Sequence, residues 1–315
     1  EVAIFADGDI FSEELDMMLI DSPEKTGMLL VPYGSASPRA MATYEKILAL
    51  YRKDYPGMPV LLAFTSRLMI KRLQEREGIA IPNIEEALGK LSGQGCKQVV
   101  VQSLQIVPGG EFHRLVSLSR EYEKKDADPE RRLKITIGLP LLSCLEDCRR
   151  VSEALPDLWR PSRDAESKEG DETVRKSQFA VESKKEAVLL AGHGTGHPAD
   201  AIYSQMAQVL KKDYGQVLLG TIEGFPSLLE MIDELKVIGA QKVRLRPFLL
   251  VAGGHAENDI SGPAPDSWKS SLERAGIEVD FHLSALGEIE GIVQILKEHS
   301  LKALEEMEMQ ADRRG

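Results

Sequence analysis

The sequence predicts an α/β protein of two similar lobes, each built on a mostly parallel four-stranded sheet flanked by helices. Three observations carry this prediction. The chain contains an internal repeat, strand-like and helix-like patterns alternate within each copy, and 315 residues suffice for two ordinary α/β cores. Hydrophobic residues make up 43% of the chain and charged residues 28%, which is the mix of a globular protein.

The repeat is clearest where residues 29–38 (LLVPYGSASP) align without gaps with residues 189–198 (LLAGHGTGHP). Each stretch is an apolar strand followed by a glycine, small residues and a proline that precedes a helical pattern. Two later pairs of segments repeat the plan, VLLAFTS with VLLGTIE and VPGGE with VAGGH. We therefore expect one structural unit to occur twice.

Within each unit, buried strands alternate with amphipathic helices, as in βαβ units on a parallel sheet. Helical patterns cover residues 41–51 in the first unit and 228–238 in the second. A closing strand is predicted at 133–138 and again at 277–282. The last predicted element is a long helix over residues 289–310.

Composition divides the chain into four segments. Residues 1–26 are an N-terminal extension, 27–155 the first lobe, 156–185 a charged linker or insertion, and 186–315 the second lobe with the C-terminal helix. The linker has too few apolar residues to offset the entropy lost on ordering it, so we expect it to be solvated.

Charge and motif content argue against several classes of protein. The net charge of −11, without a basic cluster interleaved with aromatic residues, argues against nucleic-acid binding. No apolar run approaches the roughly 18 residues of a membrane span. Three cysteines are too few for a disulfide framework or a zinc knuckle. The GHGTG segment lacks the spacing of a dinucleotide fingerprint, and it places an imidazole where a hydrolase elbow has its nucleophile.

Three residues able to bind a metal ion follow strands of the second lobe: His193, Glu223 and His255. The strand-like run before His255 spans residues 243–251. Because ligands of open parallel sheets bind at the carboxyl ends of the strands, we expect the three side chains to meet in one crevice. Imidazole and carboxylate suit cobalt, nickel, zinc and iron alike, so the residues themselves leave the metal open.

These segments carry a family resemblance. The motifs AGHGTGHP, GTIEGFP and LVAGGHAEND of the second half resemble the anaerobic (class II) sirohydrochlorin cobaltochelatase family, and AFTS and VQSL of the first half fit it too. The resemblance runs from about Gly27 to the C-terminal helix. It implies a chelatase-like fold related to ferrochelatase, with the active site in the cleft between the lobes. Gly254 stands where the family commonly has aspartate.

The resemblance also implies an activity: insertion of Co(II) into a polycarboxylate tetrapyrrole in cobalamin or related biosynthesis, with release of two pyrrole protons. Fe(II), Ni(II) and Zn(II) are alternative substrate metals. By the match, His193, Glu223 and His255 are the metal-binding and catalytic residues. We expect the two histidines to hold the ion and accept pyrrole protons. Glu223 is expected to orient a histidine, to contribute an oxygen ligand, and to balance charge.

The first lobe is predicted to bind the macrocycle rather than the metal. The equivalents of the three site residues in the first repeat are Tyr33, Ser66 and Glu111, a set without an imidazole. Tyr33 is a predicted tetrapyrrole contact. Arg39 and Arg67, which follow first-lobe loops, are predicted to meet substrate carboxylates, although ordinary surface positions explain both arginines equally well.

His113 suggests a cofactor by resemblance alone. Exported members of the family can carry a haem, and the Glu-Phe-His sequence ending at His113, with the absent initiator Met, resembles that subgroup. His113 is therefore a predicted haem ligand, and the periplasm the predicted compartment, with the cytoplasm as the alternative.

A second class of function is a two-lobed metal-binding carrier without catalysis, because a His/Glu/His site suits it equally. The predicted partners are a tetrapyrrole and a divalent metal ion, with no nucleic acid and no membrane span. A homo-oligomer is compatible with the sequence.

Overall fold

The computed structural model describes residues 25–126, 128, 132–158 and 185–312. The predicted segment 156–185 and the extension 1–26 fall almost wholly outside these residues. The described strands are β1 (Thr26–Val31), β2 (Val60–Leu62), β3 (Gln98–Ser103), β4 (Lys134–Gly138), β5 (Glu186–Gly192), β6 (Val217–Thr221), β7 (Lys242–Phe248) and β8 (Glu278–Phe281).

The strands form two four-stranded, all-parallel sheets, which confirms the predicted fold class. The strand orders are β2-β1-β3-β4 and β6-β5-β7-β8, so each half has the same topology. In both sheets the chain begins at a central strand and crosses to its neighbours. The internal repeat read from the sequence is therefore a repeat of structure.

The described helices flank these sheets. They are α1 (Pro38–Asp54), α2 (Arg67–Glu77), α3 (Ile84–Gly93), α4 (Gly110–Glu123), α5 (Leu145–Ala154), α6 (Ala201–Tyr214), α7 (Leu228–Val237), α8 (Trp268–Arg274), α9 (Glu290–Asp312) and a short π-helix (His255–Ile260). The predicted helices at 41–51, 228–238 and 289–310 correspond to α1, α7 and α9. In the described part of the chain, no helix is long and apolar enough to cross a membrane.

One predicted strand boundary is wrong. The strand leading to His255 was expected to span 243–251, but β7 ends at Phe248. Leu249 and Leu250 leave the sheet, and their carbonyls accept the N–H groups of Leu286 and Gly287 at 2.9 Å each. Both leucines stay buried in this bend, so the apolar pattern continues past the end of the strand.

The two central strands are followed by matching turns. Gly34 after β1 has φ of 107° and Gly194 after β5 has φ of 76°, a region that glycine enters without strain. A buried tyrosine on the next helix, Tyr44 or Tyr203, is hydrogen-bonded to the backbone of that glycine. Burial raises the pKa of both phenols, and the hydrogen bond offsets part of the rise. Each turn is thus anchored to a buried ring.

The lobes share a core. Leu30 of β1 and Leu190 of β5 face inward and are fully buried in one cluster with Ile292 of α9. Their neighbours Leu29 and Leu189 point the opposite way, into separate clusters on the outer faces. Because apolar surface of both sheets is removed from water in one continuous cluster, packing fixes how the lobes sit together.

Helix α9 follows the second lobe but packs on β3, β4 and α5 of the first. Its His299 is buried and lies 3.2 Å from Asp147 of α5 and 3.2 Å from the carbonyl of Leu139. Burial acts to raise the pKa of Asp147, but hydrogen bonds from His299 and from the Ser143 backbone outweigh it and lower the pKa to about 2. A buried polar pair thus ties the C-terminal helix to the first lobe.

Candidate functional site

Two of the three predicted site residues meet at the carboxyl end of the second sheet. His193 directly follows β5, and His255 is the first residue of the π-helix after β7. Their Nε2 atoms lie 3.1 Å apart, and the rings meet edge to face at an interplanar angle of 86°. A π-helix of one turn is often found at a functional site, where it redirects a side chain. The structure therefore places two imidazoles at one point.

Two glycines allow the His193 turn to form. A Cβ at Gly192 would lie 2.8 Å from the ring of Tyr203. A Cβ at Gly194 would lie 2.7 Å from the backbone nitrogen of Gly224. Real Cβ atoms do not tolerate such contacts, so any side chain at either position would push the His193 loop away from its neighbours.

The hydrogen bonds of the two histidines assign their protons. The Nδ1 of His193 lies 2.9 Å from the carbonyl of Gly194, and the Nδ1 of His255 lies 2.6 Å from Oδ2 of Asp259. Both partners are acceptors, so each Nδ1 carries the proton when the ring is neutral. The Nε2 atoms of both rings are then unprotonated and lie 3.1 Å apart.

Two unprotonated nitrogens at this distance repel each other unless a cation is shared between them. Two imidazole nitrogens about 2.1 Å from a tetrahedral metal ion are separated by about 3.4 Å, close to the 3.1 Å between these nitrogens. The pair is thus spaced to share one divalent metal ion or one proton. Both side chains are partly open to solvent, with exposed fractions of 38% for His193 and 47% for His255.

Glu223 lies beside the pair rather than between its nitrogens. Its Oε2 is 3.9 Å from the Nδ1 of His193, whereas the Nε2 of that ring is the atom next to His255. Its backbone N–H donates to the carbonyl of His193 at 2.8 Å, which joins the two loops. Within the ranges that the structure describes, no three His, Cys, Asp or Glu side chains form a preformed metal cage.

Two carboxylates that were not among the predicted site residues hold the histidines and their loops by hydrogen bonds. Asp259 accepts from His255, four residues earlier, a spacing that places both on one helical face. Asp259 thus gives His255 an acidic partner, although Gly254 stands where the family commonly has aspartate. Asp200 accepts two backbone N–H groups from the loops that carry His193 and Glu223. The i, i+4 spacing signalled Asp259, whereas nothing in the sequence pointed to Asp200.

A cavity of about 540 Å³ lies next to Asp259, the hydrogen-bond partner of His255. Its wall includes Asp259, the end of β6, and the beginnings of α7 and α8. Asp259 therefore contacts His255 on one side and this open space on the other.

The first-lobe equivalents of the site residues also come together. The backbone N–H of Ser66 donates to the carbonyl of Tyr33 at 3.1 Å, and Thr65 donates to Glu111 at 2.9 Å. The Tyr33 side chain is 45% exposed. The loop that carries it touches the His255 loop, since a Cβ at Gly253 would lie 2.7 Å from Oγ of Ser35. The tyrosine loop thus lies against the loop that leads into His255.

The two predicted arginines have different surroundings. Arg39 donates to the carbonyl of Leu283 in the second lobe at 2.6 Å, and lies 4.0 Å from Glu288. It therefore braces the two lobes. Arg67 is the exposed first residue of α2, next to the Tyr33 loop through Ser66. Substrate contact by either arginine stays a prediction.

His113 lies away from the triad, exposed on the first turn of α4. Its ring centroid is 5.0 Å from that of His197 in the second lobe. His197 accepts the N–H of Ala199 through Nδ1 at 3.1 Å, so its Nε2 carries the proton when the ring is neutral. In this tautomer neither ring nitrogen of His197 has a free lone pair for a metal ion. His113 is therefore the imidazole of the two that can bind one.

Comparison with known proteins gives concordant results. The family model "Cobalt chelatase (CbiK)" matches residues 26–305. The sirohydrochlorin cobaltochelatase CbiKC of Nitratidesulfovibrio vulgaris is 32% identical over 280 residues, covering 89% of this chain and 91% of the relative. The sirohydrochlorin cobaltochelatase of Salmonella typhimurium is 31% identical over 286 residues, covering 89% and 97%. SirB from Bacillus subtilis with Fe3+ superposes with a TM-score of 0.58 at 17% identity, covering 91% and 98%, which shows a shared fold.

Proposed function

The chain belongs to the cobalt chelatase (CbiK) family, and we propose that it inserts cobalt(II) into sirohydrochlorin with release of two pyrrole protons. The observation that carries this proposal is the pair of Nε2 atoms of His193 and His255, which lie 3.1 Å apart at the carboxyl end of the second sheet. The relatives named for this activity match nearly the whole chain, and the motifs around both histidines are those that resemble the family.

The residues account for the proton balance of insertion. As the ion passes to the four ring nitrogens of the macrocycle, two pyrrole N–H bonds break and two protons must leave. The same step frees the Nε2 lone pairs of His193 and His255, and each can accept one proton. A positioned imidazole is a general base well suited to neutral pH.

Each imidazole has its own carboxylate behind it. Glu223 lies 3.9 Å from the Nδ1 of His193, and Asp259 lies 2.6 Å from the Nδ1 of His255. These negative charges stabilise the imidazolium that forms when a ring takes up a proton. Charge balance and orientation are the roles proposed for Glu223, since a direct ligand role requires its carboxylate to swing around the ring to the Nε2 side.

The first lobe is proposed to hold the macrocycle. Tyr33 presents a half-exposed ring on the loop that lies against the Gly253 loop, a suitable surface for the flat tetrapyrrole. Arg67 adds an exposed guanidinium near that loop, which suits the carboxylates of the substrate. The ion is thus held on one lobe and the ring on the other.

The proposal is tested by mixing purified protein with cobalt(II) and sirohydrochlorin and following the visible spectrum. Insertion changes the macrocycle spectrum at a rate proportional to enzyme, and parallel reactions with Fe(II), Ni(II) and Zn(II) rank the substrate metals. A protein that binds cobalt but leaves the macrocycle spectrum unchanged would be a carrier instead.

A haem at His113 and a periplasmic location remain separate proposals. The residue type fits, because a histidine side chain serves as an axial ligand of haem iron and His113 is exposed. Haem would supply a redox centre, and no step of insertion depends on it. A Soret band in the purified protein that is lost in His113→Ala supports the assignment. Cell fractionation with marker enzymes tests the compartment.

A further inference from the structure

Asp200 occupies an unusual position for a helix-terminal aspartate. It ends the turn Pro198–Asp200 and immediately precedes α6. An aspartate there commonly caps its own helix through the side chain, yet Asp200 makes no such hydrogen bond. Its Oδ1 accepts the backbone N–H of Thr195 at 2.9 Å, and its Oδ2 accepts that of Phe225 at 2.7 Å. Both carboxylate oxygens are therefore used on neighbouring loops.

The two donors identify which loops are joined. Thr195 lies two residues after His193, and Phe225 lies two residues after Glu223. One half-buried carboxylate thus spans the turn that carries the imidazole and the turn that carries its acidic neighbour. Hydrogen bonds to a charged acceptor are about twice as strong as those to a neutral one, so both contacts restrain the loops.

The surrounding backbone is shaped around this contact. A Cβ at Gly224, between Glu223 and Phe225, would collide with the carboxylate of Asp200. The backbone N–H of Glu223 also donates to the carbonyl of His193, so the loops are joined at two points, one on each side of Gly224. The three atoms nearest to a Cβ at residue 224 all belong to the Asp200 carboxylate, so glycine at this position makes room for that carboxylate.

We propose that Asp200 is a positioning residue that sets Glu223 against His193, so that the acidic partner stands at the correct distance when the metal is held. This inference rests on the proposed chelatase function. A negative charge at the N-terminus of α6 is also favourable, but that interaction does not explain why Asp200 bonds to two separate loops.

The test uses two variants that disturb the same contact by different routes. Asp200→Asn keeps the shape but has only one acceptor oxygen, so its amide N–H₂ must face one of the two backbone N–H donors. Gly224→Ala keeps the carboxylate and pushes it away. Asn83→Ala is the matched control, because it removes a capping box from α3 in the first lobe, far from the histidines.

Cobalt(II) affinity is measured by titration of the absorption of the bound ion, together with kcat and KM for insertion and with thermal stability. Both Asp200→Asn and Gly224→Ala are expected to weaken cobalt affinity about tenfold, in the range known for residues that support ligands, and to lower kcat while KM for sirohydrochlorin changes little. Asn83→Ala is expected to lower Tm without changing affinity.

The inference is overturned if both variants lose stability as the control does while cobalt affinity and kcat stay at the wild-type level. Absence of insertion by the wild-type protein would refute the proposed function, yet the cobalt titrations would still decide whether Asp200 positions the site.

Discussion

Replacement of Asp259 tests the tautomer on which the histidine pair depends. Asp259 accepts from the Nδ1 of His255 at 2.6 Å, so it keeps the proton there and leaves the Nε2 of His255, 3.1 Å from that of His193, free to bind a metal ion. A hydrogen bond to a charged group contributes about 1.5–3 kcal/mol. Both side chains are nearly half exposed, so solvent screening places the effect at the lower end. About 1.4 kcal/mol corresponds to a tenfold weaker cobalt affinity.

The assay is cobalt(II) titration of Asp259→Ala and Asp259→Asn. Asparagine retains an oxygen that accepts from Nδ1, so it should recover most of the affinity that alanine loses. Sirohydrochlorin binding, followed separately, should be unchanged in both. The reasoning is refuted if Asp259→Ala binds cobalt as tightly as wild type, or if asparagine is as damaging as alanine.

Three further predictions concern other parts of the molecule. Glu223→Gln keeps the side-chain shape and removes the charge, so cobalt affinity should fall about tenfold by titration while macrocycle binding persists; loss of macrocycle binding would contradict the assignment. Tyr33→Phe keeps the ring and should change turnover less than about threefold. A loss comparable to that of a histidine variant would contradict the assignment of Tyr33 to macrocycle contact alone. Asp147 has a folded pKa of about 2 against an ordinary 3.8, so its ionised form stabilises the fold by about 2 kcal/mol above pH 4, an amount lost as the pH falls towards 2. Urea titrations of wild type and Asp147→Asn at pH 7 and pH 3 should show the difference between them shrinking, and an equal difference at both pH values would rule this out.

The fold could be predicted from the sequence because its physical requirements recur twice. Parallel strands buried on both faces must be continuous apolar runs, and the turns after β1 and β5 both require a glycine at positive φ. The hydropathy pattern could not show where β7 ends, because Leu249 and Leu250 remain buried after leaving the sheet. Nor did it show that α9 packs on the first lobe, because hydropathy identifies a buried face but not the surface that covers it.

The site was predictable to a similar extent. His193 and His255 follow strands that are neighbours in the sheet, so parallel topology brings them together. The position of Glu223 beside one ring, rather than between the two, depends on backbone bonds that no spacing rule encodes. Asp200 escaped notice for the same reason, since its partners are N–H groups of loops far along the chain and not side chains with a recognisable pattern.

The central claim is that His193 and His255 hold the metal ion and accept the pyrrole protons. Steady-state insertion of cobalt into sirohydrochlorin by His193→Ala and His255→Ala, at several cobalt concentrations, tests it most directly. Each variant loses a ligand and a proton acceptor together, so kcat should fall by at least about 10²-fold at every cobalt concentration while titration still shows macrocycle binding. Wild-type turnover in either variant, once folding is confirmed, would contradict the account.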